Sequence, residues 1–324
     1  MSRVRLRPVF KRLWLLAPVA TLGGGCFFFT GGCEWGGDGT FELTSFISEL
    51  FSVDGGALTA DTPCEELCQR VSSGTLRSCS IQRTSETSPE PDKVTCVFDS
   101  VNCDGRRPEG LCSDGAVVQG TPVLGALFAK IAHMEAASVP AFERLADELA
   151  EHGAPEHLVR AARRSAKDEV RHADAMESLA RRHGAPMPEL KVAPFQARSL
   201  EALAIENAVE GCVRETFGAL LAGWQARSAE DAQVRESLST IAPDELRHAE
   251  LSWAIDAWAM EQLSPEARER VEAARREAWR ELEQDAASSH LPNEVARHSG
   301  LPSAEVARGL VRELASELMP GALA

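Results

Sequence analysis

Four stretches of helical periodicity between residues 121 and 262 each carry an apolar seam, and each seam is interrupted by glutamate. Spacings that alternate between three and four residues mark the face a helix buries against its neighbours. The first seam runs Leu124, Phe128, Ile131, Glu135, Ser138, Phe142, Leu145 and Leu149; the second runs Leu158, Ala162, Ser165, Glu169, His172, Met176 and Leu179. The third reads Leu203, Glu206, Glu210, Val213, Phe217, Leu220 and Trp224, and the fourth Val234, Leu238, Ile241, Glu245, His248, Ser252 and Ile255. An unpaired carboxylate buried in a core costs several kcal/mol, so a fold that turns these seams inward needs positive charge beside them.

The second and fourth seams repeat a phrase. "DEVRHAD" at 168–174 returns as "DELRHAE" at 244–250, 76 residues later. Setting Glu135 on Glu210 also matches Phe142 with Phe217 and Leu145 with Leu220, so residues 121–183 and 196–262 read as two copies of one helical hairpin. From Glu135 to the break at His152 is 17 residues and from Pro155 to Glu169 is 14, rises of about 25 Å and 21 Å. Glu210 to Ser228 is 18 residues and Ala229 to Glu245 is 16, with "SAED" at 228–231 placed as a capping box at the turn. Both pairs are therefore expected at one height. Two divalent cations would balance Glu135, Glu169, Glu210 and Glu245, with His172 and His248 each adding a nitrogen ligand from the same helix face. A single Glu-x-x-His pair is usually a solvated helix face. The doubling, with lone seam glutamates 34 and 35 residues upstream, is what points to a two-metal site.

This ligand pattern resembles the ferritin-like di-iron carboxylate superfamily, whose bundles carry one Glu from each of two helices and Glu-x-x-His from each of the other two. The resemblance implies an all-α fold, a ferritin-like four-helix bundle over 119–262, and two iron ions as cofactor; manganese or a mixed pair also suits these donors. Its symmetry is most similar to bacterioferritin and the di-iron hydroxylases, and Val213 stands where rubrerythrins carry a further glutamate. The implied function is an oxidoreductase acting on O2 or peroxide with a reductant or small substrate as partner. A ferroxidase or metal-handling role, and an envelope protein with purely structural metals, are the alternatives. Glu206, one turn before Glu210, is expected as an extra ligand, a proton relay or a carboxylate at the entrance, and so as the candidate catalytic residue. Asp168, Asp174, Asp244 and Glu250 flank the histidines, and each reads either as an acceptor for the free imidazole N–H or as a surface carboxylate. Cys212 reads as a small buried residue. The chain has no tyrosine, which excludes a tyrosyl-radical role.

The N-terminus supplies the compartment. Arg3, Arg5, Arg7, Lys11 and Arg12 precede an apolar run ending at Cys26, the order of an export signal over 1–25. "LGGGC" resembles a lipoprotein cleavage box with its leucine one place too early, so a lipid anchor at Cys26, plain secretion and an uncleaved anchor all remain open. Each places the body outside the cytoplasm. Removing those five charges takes the formal net charge from −15 to −20, which repels nucleic acid and anionic headgroups and attracts cations. Residues 26–60 read as a tether in which "FELTSFISELF" forms one short helix. Residues 61–115 hold Cys64, Cys68, Cys79, Cys96, Cys103 and Cys112, a disulfide module with fifteen possible connectivities. A zinc site at Cys64 and Cys68 lacks a second close cysteine pair. Residues 263–324 read as a pair of helices appended to the bundle, the first capped by Ser264 with Pro265 at its first position and the second following Ser303.

Overall fold

The computed structural model describes residues 6–15, 40–46, 63–65, 67, 76–82, 93–99, 111–112, 123–187, 190–192, 195, 197–288 and 293–323. The chain is mostly helical. Among the described residues its strands lie in the tether, the cysteine-rich part and one crossover. Strands β1 (Thr40–Phe46), β2 (Leu76–Gln82) and β3 (Lys93–Asp99) form an antiparallel sheet with β3 in the centre. The segment expected to be a short helix is therefore β1, paired from Thr40↔Asp99 to Phe46↔Lys93. Its threonines and phenylalanines suit a pleated strand, and the partner that selects that conformation lies some fifty residues away. Cys64 and Cys79 form a disulfide. Strand β4 (Leu111–Cys112) pairs with β5 (Lys191–Val192), tying the end of the module to the bundle's long connection. Cys26, Cys68, Cys103 and most of the tether lie outside the described residues.

Four helical segments enclose the main interior. Helix α2 (Val123–Glu151) turns into α3 (Glu156–Arg182) through Gly153, whose φ of 71° only glycine adopts readily, and Ala154 N–H donates to Leu149 O at 2.8 Å. The chain then crosses back along the bundle. Ser199 caps α4 (Leu200–Glu206) by accepting from Ala202 N–H at 3.2 Å. The helix widens to a π-helical stretch over Asn207–Glu215 and resumes as α5 (Thr216–Ser228). Helix α6 (Ala232–Gln262) completes the four. Its cap is Asp231, and Ser228 is the last residue of α5 and not the capping residue that "SAED" suggests.

Two apolar plugs fill this interior. Phe128, Met176, Leu179, Val234, Leu238 and Ile241 form one, toward the start of α2. Phe142, Leu145, Leu158, Leu203, Leu251 and Ile255 form the other, toward its end. The band between them, at the height of Glu135 on α2, carries the polar residues described below.

The C-terminal part is an integral second layer. Helices α7 (Pro265–Ser288) and α9 (Ala304–Leu318) are the expected pair, and a short α8 (Asn293–Ser299) lies between them. Ser264 and Ser303 cap α7 and α9 as the sequence indicates, accepting from Ala267 and Val306 N–H at 3.2 Å. Trp279, Leu282, Leu310 and Leu314 pack on Val213, Phe217, Leu220 and Trp224, the very residues read as the third bundle seam. Helix α1 (Leu6–Leu15) joins the same core through Leu6, Phe10 and Leu13. Trp14 donates to Leu220 O at 3.1 Å beneath the Arg227 guanidinium, and Gly223 makes room for its ring, since a Cβ there would stand 2.2 Å from it. The packed residues Leu6 and Phe10 belong to the basic stretch, and most of the apolar run that would serve an export leader lies outside the described residues. Among the described residues no helix is long and apolar enough to cross a membrane.

Asp231 fastens the two hairpins. It accepts from Gln233 and Val234 N–H at 2.8 and 3.2 Å and from Arg182 at 2.9 and 3.0 Å. Burial opposes its charge, but Arg182 and the two N–H groups hold its carboxyl below the usual range. Asp231→Ala should cost about 1–2 kcal/mol in urea denaturation at pH 7. A carboxylate whose folded pKa is depressed stabilises above its unfolded value, near pH 4, and loses that contribution as pH falls through the folded value, so the difference between variant and parent should shrink toward pH 3.

Candidate metal centre

The band between the plugs gathers residues from both hairpins. One ligand atom from each of Glu135 (α2), Glu169 and His172 (α3) and Glu245 (α6) lies within 4.8 Å of every other. His248 completes the group, its Nδ1 3.0 Å from Glu169 Oε1 and 3.6 Å from Glu245 Oε1. His172 Nδ1 is 3.0 Å from Glu245 Oε1 and 3.6 Å from Glu135 Oε2 and Glu169 Oε2. Each histidine therefore stands nearest the glutamate of the opposite motif. Glu169, His172 and His248 are 3%, 2% and 1% exposed, so bulk water does not screen them.

The outer nitrogens are held by the residue before each motif glutamate. His172 Nε2 lies 3.4 Å from Asp244 Oδ2, and His248 Nε2 lies 3.3 Å from Asp168 Oδ2, so the bonds cross between α3 and α6. Arg171 reaches Asp168 and Asp244 at 2.8 Å each, and Arg247 reaches them at 3.0 and 2.6 Å. The ring Asp168, Arg171, Asp244, Arg247 repeats in space the two-fold symmetry of the phrase in sequence. An imidazole that donates from Nε2 keeps its Nδ1 lone pair for whatever lies in the centre. Of the four acids read as candidates for this, Asp168 and Asp244 do it; Glu250 pairs with Arg7 at 2.8 Å, and Asp174 is outside the ring.

The electrostatics are those of a site that wants cations. Burial, then the charge of Glu169, pushes the Glu135 carboxyl well above the usual range. Burial disfavours an imidazolium at His172 and His248, yet the surrounding carboxylates raise both well above the ordinary value. Protons on these groups balance the charge of the cluster by itself, and metal ions would displace them. The donor geometry fits such ions. Glu169 Oε2, His172 Nδ1, Glu245 Oε1 and His248 Nδ1 are buried and make no hydrogen bond among the described residues, despite approaches as short as 3.0 Å. These atoms converge on shared space, and once the protons that balance the cluster by itself are displaced, carboxylate with imidazole suits iron or manganese.

The third helix departs from expectation. Glu210 pairs with the buried Arg214 at 3.5 Å, and Arg214 continues to Glu281 and Asp285 of α7 at 3.2 and 3.8 Å. One oxygen of Glu210 thus faces a cation on the side of the C-terminal layer, while its Oε2 is buried without a hydrogen bond among the described residues. Glu215 lines the cavity at the centre instead, 3% exposed, and accepts from the Ser252 hydroxyl at 3.1 Å. The wall runs Glu215, Gly218, Ala222 and Gln225, spaced three, four and three. Residues in a π-helical stretch bond i→i+5, so spacings counted as α-helical from Leu203 do not keep one face through Asn207–Glu215. The helix ends do not separate the two carboxylates: Glu135 is 16 residues before Glu151, and Glu210 and Glu215 are 18 and 13 before Ser228, so no signal in the sequence singles out Glu215. Glu206 lies 3.7 Å from Arg198, which grips the buried Glu148 at 2.7 and 2.9 Å. Glu148 is 13 residues beyond Glu135 on α2, about 20 Å along the bundle. Cys212 is buried, with Sγ 3.6 Å from Ser252 O, a small core residue as read.

Comparison with protein-family models, with curated proteins and with solved structures gives no match for this chain.

Two substitutions separate the third-helix carboxylates. Glu215→Gln should remove one of the two metals bound by protein reconstituted with Fe(II) or Mn(II), whereas Glu210→Gln should leave the stoichiometry unchanged, as read by elemental analysis. Asp168→Asn and Asp244→Asn should each weaken metal binding by about 10- to 100-fold in competition titrations while the helical circular dichroism persists.

Proposed function

We propose that the chain is a ferritin-like di-metal carboxylate protein of the cell envelope, an oxidoreductase that acts on O2 or peroxide. The observation that carries this reading is the convergence of both Glu-x-x-His motifs with Glu135 in a water-poor bundle interior, with buried donor atoms that lack hydrogen-bond partners among the described residues. Glu135, Glu169, His172, Glu215, Glu245 and His248 would hold two iron ions, or manganese or a mixed pair. Such ions supply one-electron redox chemistry and Lewis acidity that side chains lack.

The chain's own part is positional. Asp168 and Asp244 hold the outer imidazole nitrogens, which orients His172 and His248 and raises their basicity as ligands. The two apolar plugs keep solvent from the centre, so charge there is compensated by ligands and by what they bind. Placement outside the cytoplasm is supported by the basic and apolar order of the first 26 residues and by the Cys64–Cys79 disulfide, a bond that persists in oxidising compartments. A second reading, oxidation of Fe(II) as the whole function, is favoured by the formal net charge of −15, which draws cations.

Anaerobic reconstitution with Fe(II), followed by O2 or peroxide, tests the proposal. The expected result is two iron ions per chain and an absorption change that a reductant reverses through repeated cycles. His172→Gln and His248→Gln should slow oxygen consumption roughly ten-fold or more while most of the metal stays bound. Fully metallated protein that consumes neither oxidant with any reductant would overturn the catalytic reading, and a single round of oxidation without reset would favour the second.

A further inference from the structure

A cavity of about 90 Å³ rises from the carboxylate cluster toward the start of α2. Its floor holds Glu135, Glu169, Glu215 and Glu245; its walls are mostly aliphatic, and Leu301, after α8, lies at the far end. Buried core space is normally filled to crystal-like density, so a void of this size beside a polar floor asks for a cause. Gly218 supplies one. It sits in α5 one turn from Glu215 and lines the cavity, and a Cβ built on it would meet nothing within 4 Å. Alanine would therefore fit there and would favour the helix. The chain forgoes both that gain and the packing a larger residue would bring.

The far end is fixed in place. Gln225 donates to Ser299 O at 3.0 Å, and Glu230 N–H donates to Arg297 O at 2.9 Å, which ties α8 to the turn between α5 and α6. Val295 and Ala296 pack with Leu127 and Leu301 over the start of α2. The C-terminal layer thus walls one end of a partly open chamber whose floor is the candidate metal centre.

We infer that this chamber binds a small neutral molecule with an apolar body and one oxygen-bearing end turned to the floor, and that Gly218 and Leu301 set its size. A volume of about 90 Å³ is the share of about three waters and less than the ~150 Å³ of a dry cavity that takes benzene, so the ligand has about three or four non-hydrogen atoms. Four carboxylates on the floor disfavour an anion, and the aliphatic wall disfavours a polyol. As a substrate chamber this assignment rests on the di-metal reading; as a binding chamber it does not.

Crystals of the full chain pressurised with xenon, and soaked separately with 1-propanol and 1-hexanol, test it. Xenon and 1-propanol should occupy the space beside Gly218, and 1-hexanol should not enter. Gly218→Ala should fold with a Tm about 2 °C or more higher and reduced xenon occupancy. Gly218→Leu should exclude xenon, and Leu301→Ala should admit 1-hexanol, which keeps the inference testable if the leucine variant fails to fold. Ordered water in the wild-type chamber with no xenon, or the same alcohol cut-off in Leu301→Ala, would overturn it. Two metals per chain with a xenon-refusing chamber would remove this inference alone. A xenon-filled chamber in protein that takes no metal would remove the di-metal reading and leave the chamber standing.

Discussion

Carboxylates that share one height in a bundle interior repel each other, and the rest of the fold is arranged around that repulsion. At the separations of this cluster, within 4.8 Å, a pair of like charges costs about 3 kcal/mol even at an effective dielectric of about 20. Bulk water does little to screen Glu169, which is 3% exposed between the two apolar plugs. The compensation comes in two shells: a centre where Nδ1 and carboxylate lone pairs converge, and the ring of Asp168, Arg171, Asp244 and Arg247 that orients the imidazoles and laces α3 to α6. The inner shell is a demand for cations. The outer shell is already neutral and holds the inner one in register.

The third helix has to satisfy two cores at once. One face supplies Glu215, Gly218 and Ala222 to the centre, and the other supplies Val213, Phe217, Leu220 and Trp224 to the layer formed by α1, α7 and α9. Arg214 anchors the joint by pairing with Glu210 on its own helix and with Glu281 and Asp285 across it. The π-helical widening over Asn207–Glu215 is where the two demands are reconciled, because it turns Glu215 inward after the α-helical count would have placed Val213 there. The C-terminal helices therefore bear on the centre twice, through the orientation of the third helix and through Leu301 at the end of the chamber.

Much of this could be read from the chain before any coordinates. Helical periodicity, the doubled Asp-Glu-x-Arg-His phrase and the lone Glu135 depend on local spacing, and α-helical spacing is preserved through α2, α3 and α6. That is why Glu135, Glu169, His172, Glu245 and His248 lie together as expected. The aspartates that hold the histidines were legible as candidates because they adjoin the motif. Which imidazole each one reaches was not, since the bonds cross between hairpins.

The remaining decisions were tertiary. Glu215, which lines the centre, was not legible because a helix buried on both sides has no single apolar stripe to read, and because π-helical bonding breaks the count that assigns a face. "FELTSF" became a strand because its backbone partner, Lys93–Asp99, is distant in sequence. The basic, apolar N-terminal segment carries the pattern of a leader, yet only the grooves around Gly223 and Leu220 determine that α1 within it also packs against the body. The sequence by itself determined which residues gather at the centre from the three helices of regular pitch. The fold decided which face of the fourth meets them, because that choice depends on a second core that no local spacing records.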